Sequence, residues 1–218
     1  ERELTIMLLV DVSSSCFFST QGQFKQELAA EIASVLAFAA TKNNDKVGLI
    51  IFSDHIEKCI PPKKGINHVW RVIREVLAHQ ALSVRTDIPA ALTYLNKIMR
   101  RKTTVFLISD FISSDYKKAL RITAGKHDLI AVSITDPREL ELPNVGMVEL
   151  RDAESGENML VDTSSADVRA GYRLQAEKNC SERQLLFSSS GIDCIEICTD
   201  RPFIDPIMRF FRMREKRL

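Results

Sequence analysis

Residues 4–15 read LTIMLLVDVSSS. From Leu4 to Val10 the side chains are almost all apolar, with no alternation of polar and apolar positions. A run of that length suits a strand buried on both faces, as strands are in a parallel sheet. It stops at Asp11, and a serine-rich loop follows. Working outward, runs of the same kind recur at Val47–Phe52 (VGLIIF), Thr104–Ser109 (TVFLIS) and Leu129–Thr135 (LIAVSIT), and Ile192–Cys198 reads as a further strand.

The segments between these runs show helical spacing. In Gln23–Lys42 the residues Phe24, Leu28, Ile32, Val35, Leu36 and Ala39 share one side. In Ile66–Ala81 the apolar side is Val69, Trp70, Ile73, Val76 and Leu77, which assigns Trp70 to the core. Asp87 is placed to cap a helix over Ile88–Arg100, with Pro89 tolerated in its first turn. Tyr116–Lys126, Ala166–Ser188 and Pro206–Lys216 are further helices. His55–Ile60 reads as a short edge strand closed by Pro61 and Pro62. Val145–Leu150 and Asn158–Val161, on either side of Glu154-Ser155-Gly156, read as a hairpin. The expected fold is therefore α/β: a doubly wound, mostly parallel sheet with helices on both faces, one antiparallel edge strand and an added β-hairpin at about 145–162. One domain over 1–218 accommodates it.

Composition narrows the function. Thirty basic against 29 acidic side chains leave a net charge of +1, without the basic excess expected of a general nucleic-acid binder. The basic run Arg209, Arg212, Arg214, Lys216 and Arg217 fits a helix carboxyl terminus, where cations meet the negative pole; docking to a membrane surface or partner is the other reading. Five scattered cysteines include no CxxC pair, and Cys194 and Cys198 read as buried thiols, which points to a reducing, cytoplasmic setting. No apolar run reaches the roughly 18 to 20 residues of a membrane span. The chain starts at Glu1 and not at Met, as a fragment of a longer protein would. The four histidines are dispersed and form no evident catalytic dyad.

Chemistry is concentrated where the strands end. The first run delivers Asp11, Ser13 and Ser15; the loop before Ile88 delivers Arg85, Thr86 and Asp87; the run from Thr104 delivers Asp110. Parallel strands place their carboxyl ends together, and ligands of such sheets bind at that edge. Two carboxylates with Ser and Thr hydroxyls, and no Cys or His, suit Mg²⁺, with Mn²⁺ or Ca²⁺ as alternatives, rather than zinc or copper. Each piece alone has a simpler reading. Asp110 can turn the chain, Asp87 is explained by capping, and Asp136-Pro137 by an ordinary turn. Cys16, Phe17 and Phe18 either rim the site or pack inward.

The string LLVDVSSS, with RTDIPAAL and FLISDF, resembles the metal-ion-dependent adhesion site of von Willebrand factor A domains. The resemblance implies a von Willebrand A-like fold with metal ligands at Asp11, Ser13, Ser15, Thr86 and Asp110. It also implies an open coordination position for an Asp or Glu carboxylate of a protein partner. The stretches NNDKVGLIIFSD, IEKCIPPKKG, AVSITDPRELELPNVGMVELRDAESGE and RFFRMREKR are similar more narrowly to the bacterial DUF58 family, whose association with MoxR-type AAA+ ATPases implies such a partner. A binding module and no enzyme is the expectation. A Mg²⁺-dependent hydrolase or phosphotransferase is the first alternative, although no GxSxG elbow or GxxxxGK loop is present. A metal-free scaffold is the second.

Overall fold

A computed structural model describes residues 3–13, 25–83, 85–112, 115–151 and 158–216. The long apolar runs are strands: β1 (Thr5–Asp11), β2 (Lys46–Phe52), β4 (Thr104–Ser109), β5 (Asp128–Thr135) and β8 (Asp193–Cys198). They form one sheet with β3 (Ile56–Lys63), in the order β3-β2-β1-β4-β5-β8. Every neighbouring pair is parallel except β2–β3. Order reverses on either side of β1, so the crevice of this doubly wound sheet opens beyond the carboxyl ends of β1 and β4.

The helices are α1 (Lys25–Lys42), α2 (Ile66–Ala78), α3 (Ile88–Ile98), α4 (Lys117–Lys126), the single turn α5 (Pro137–Leu140), α6 (Ala166–Ser189) and α7 (Ile204–Glu215). Successive strand side chains point to opposite faces, and each face has its own core. Leu8 and Val10 of β1, with Leu49, Ile51, Phe106 and Ile108, pack under α1, α2 and α7. Met7 and Leu9, with Ile50, Phe52, Val105 and Leu107, pack under α3, α4 and α6. Burying each such Leu, Ile or Phe is worth about 1.5–3 kcal/mol before chain entropy is counted, so the central strands are firmly held. A separate two-stranded antiparallel sheet, β6 (Met147–Arg151) with β7 (Asn158–Asp162), is the expected hairpin; its turn, Glu154-Ser155-Gly156, lies outside the described residues.

Four local expectations change. Trp70 and Leu77 are 53% and 56% exposed. The residues of α2 that face the sheet are Val69, Val72 and Val76, and Trp70 lies about 100° around the helix from Val69. In α1 the buried side runs through Leu28, Ala29, Ile32, Ala33, Leu36 and Ala40, and Ala39 is exposed. Strand β3 continues through Pro61 and Pro62 to Lys63; an edge strand tolerates proline because its outer row of donors has no partner to satisfy. Cys194 and Cys198 are only half-buried, because β8 is the other edge. Burial still pushes the Cys194 thiol up to about 12. Among the described residues no helix is long and apolar enough to cross a membrane.

Candidate metal centre

Three segments meet beyond β1 and β4. β1 ends in Asp11, completely buried. Its Oδ1 accepts the Ser13 backbone N–H at 3.0 Å, an Asx-type turn at the strand end. Its Oδ2 accepts the Ser109 hydroxyl at 2.7 Å, tying β1 to β4. Ser109 Oγ in turn accepts the Phe111 N–H at 3.1 Å.

Thr86 arrives on the loop before α3. That loop is anchored at both ends. Asp87 N–H donates to the Ser53 carbonyl at 2.8 Å, and Asp87 caps α3 by accepting Ala90 N–H at 2.8 Å. Upstream, Glu57 of β3 accepts from Leu82 N–H and holds His79 Nε2 at 2.6 Å. The Thr86 hydroxyl therefore meets Ser13 Oγ and lies 3.4 Å from Asp11 Oδ1. Thr86 is half-buried where Asp11 and Ser13 are fully buried, so the group opens to solvent on its Thr86 side. A cleft of about 760 Å³ adjoins it, walled by Pro89, Thr93 and Asn96 of α3 and by Lys118 and Ile122 of α4. Arg85 stands on its rim, exposed.

Asp110 follows β4. Its Oδ1 accepts Ile112 N–H at 3.2 Å, and its Oδ2 lies 3.3 Å from the Lys25 ammonium. The next residue, Phe111, adopts φ 57, a left-handed conformation that is uncommon for a bulky side chain. Its ring is held by edge contacts to Tyr116 and Phe187, at 5.7 and 5.2 Å between centroids. Arg183 of α6 donates to the Asp110 carbonyl at 3.3 Å.

The structure thus brings together Asp11, Ser13, Thr86 and Asp110; Ser15, with Cys16, Phe17 and Phe18, lies outside the described residues. Burial pushes the Asp11 carboxyl up to about 6, and the Asp110 charge adds to the effect, against the lowering by Ser109 and Ser13. Two buried carboxylates that disfavour one another's charge are a setting a cation would relieve. Among the described residues no three His, Cys, Asp or Glu side chains converge as metal ligands. A cation here would rest on the hydroxyls of Ser13 and Thr86 and on Asp11 and Asp110. All the side-chain donors are oxygens, which fits a hard ion such as Mg²⁺. Both oxygens of each carboxylate already accept a protein hydrogen bond or ion pair, which suits them to hold bound water on their remaining lone pairs.

Reading the sequence missed three residues that shape this group: Ser109, Lys25 and Glu139. A signal for Lys25 was present, since it falls on the apolar side of α1, one turn before Leu28 and Ala29. Asp136, read as a turn residue, is buried and caps α5, accepting Arg138 N–H at 2.9 Å. Glu139 closes the capping box on the Asp136 N–H.

A family model described as "Protein of unknown function DUF58" matches residues 1–182. An uncharacterized protein of Mycobacterium bovis is 29% identical over 221 residues, covering 99% of this chain and 69% of its own length. An uncharacterized protein of Mycobacterium tuberculosis aligns with the same identity and coverage. Among solved structures, the conserved hypothetical protein BatB from Bacteroides thetaiotaomicron superposes with TM-score 0.62 at 13% identity, over 97% of this chain and 98% of that one. An aerotolerance-related membrane protein from Bacteroides fragilis superposes with TM-score 0.61 at 14% identity, over 94% and 96%. At these identities the likeness is one of fold.

Proposed function

The chain belongs to the DUF58 family, and from that premise we propose that its sheet edge is an adhesion-type site that binds a protein partner's Asp or Glu through a divalent cation. One observation carries the reading: Asp11, Ser13, Thr86 and Asp110, spread over a hundred residues of chain, converge where the strands end. The cation is Mg²⁺, with Mn²⁺ or Ca²⁺ as substitutes, and Ser15 completes its ligands. When bound, it supplies a Lewis-acidic position for an incoming carboxylate. The half-buried Thr86 marks the side on which that carboxylate arrives, and the adjoining cleft receives the rest of the partner segment. The protein acts as a binding module and not as an enzyme. A MoxR-type AAA+ ATPase is the partner that the family resemblance implies. Four unbonded cysteines among the described residues support a reducing, cytoplasmic setting.

Calorimetric titration of Mg²⁺ and Mn²⁺ into the full chain tests this. The expected result is saturable binding at one site, lost in Asp11→Ala and weakened in Thr86→Ala while circular dichroism shows an intact fold. No binding by the wild type, even with acetate present to complete the coordination, removes the metal reading and leaves a scaffold.

A further inference from the structure

Lys25 is fully buried, one of the largest side chains removed from solvent among the described residues. A buried ammonium is costly unless paired. Here it is held between Asp110, at 3.3 Å, and the carboxylate of Glu139. The row Asp110–Lys25–Glu139 leads from the candidate metal centre to the capping box of α5. A site built only to hold a cation gains nothing from a positive charge against one of its two carboxylates. Such a charge opposes the cation and favours an anion.

We propose that Lys25 sets the ligand selectivity of the site: its buried charge, anchored by Glu139, restrains affinity for the cation alone and strengthens the hold on a carboxylate once the cation is in place. This rests on the metal reading above and adds to it a residue that makes binding conditional on an acidic ligand. Lys25 is a positioning and charge-setting residue here, not a ligand. Lys25→Met leaves Asp110 beside the charges of Asp11 and of Glu139 without the ammonium that now separates it from Glu139. Glu139→Gln leaves the ammonium in place and removes its second counter-charge.

Two affinities are measured in the full chain: Mg²⁺ alone by calorimetry, and acetate to the Mg²⁺-saturated protein by NMR shifts. In Lys25→Met, Mg²⁺ is expected to bind about tenfold tighter and acetate about threefold weaker, because the cation carries twice the charge of the ligand. Glu139→Gln should shift both affinities in the opposite directions and by less, Glu139 standing beyond Lys25. The Glu139 side chain reaches the surface, at 22% exposure, so this variant decides the matter if Lys25→Met fails to fold. A purely structural role would weaken both affinities together in either variant; that result, or affinities unchanged within about twofold, overturns the proposal and leaves the metal site standing. A wild type without saturable Mg²⁺ binding removes both.

Discussion

Asp11 pays for its position at the strand end in protonation. It binds its proton more tightly in the fold, at about 6, than the ordinary value of 3.8. The stability of the metal-free protein therefore falls as pH rises through this window, and the full cost stands above about pH 6. Asp11→Asn is expected to raise metal-free stability at pH 7.5 by on the order of 2 kcal/mol while abolishing Mg²⁺ binding. The gain should shrink as pH drops and vanish near pH 4. Denaturant melts with chelator across that range check it, and a variant less stable than wild type at every pH would show that the lost hydrogen bonds outweigh the relieved charge. Asp11 was legible in the sequence because a strand that ends abruptly in a carboxylate is a local pattern, and Thr86 because RTDIPAAL resembles the adhesion-site motif. Ser109, Lys25 and Glu139 were not, because their roles depend on partners 98, 85 and 114 positions away along the chain. A Lys on the apolar side of a helix was the one trace left locally.

Among the elements, the contact between β2 and β3 is tightly constrained at Gly48. Gly48 sits where a Cβ would come within 2.9 Å of the Ile60 carbonyl and the Pro62 nitrogen, and 2.5 Å of Met7 Sδ. The sulfur can swing aside; the two backbone atoms cannot without moving β3. Gly48→Ala is expected to cost about 1–3 kcal/mol by overpacking, read as a lower denaturation midpoint. A midpoint unchanged from wild type would mean that β3 shifts freely. The central strands were legible to within a residue or two, since a strand buried on both faces leaves an unbroken apolar run. Helix orientation was less so. Trp70 and Leu77 share the apolar half of α2 with Val69 and Val76, and only the sheet beneath selects which flank of that half is covered. The turn α5 was read as an ordinary bend, because four residues are too few to show a period.

At the scale of the whole molecule, α7 closes the fold. Arg214 forks onto Asp128 at 2.6 and 3.0 Å, reaches Asp193 at 3.2 Å, and lies over the Phe210 ring. The basic run at this end thus spends one of its charges on binding α7 to the starts of β5 and β8, opposite the metal edge. Arg214→Ala is expected to lower stability by about 1–2 kcal/mol at low salt and by less at high salt; thermal melts at two ionic strengths check this, and equal losses at both would assign the effect to packing. The two margins of the sheet differ in kind. Neighbouring N–H groups along a strand point alternately toward and away from its partner. Two consecutive prolines in β3 therefore remove two donors from this margin, at the point where the register with β2 breaks between Val47 and Leu49. A strand from another molecule that approached β3 would find a gap in the ladder it needs. The Pro61-Pro62 pair thus acts as a guard against edge-to-edge polymerisation, so that a crowded solution of this protein has one margin of its sheet closed to aggregation.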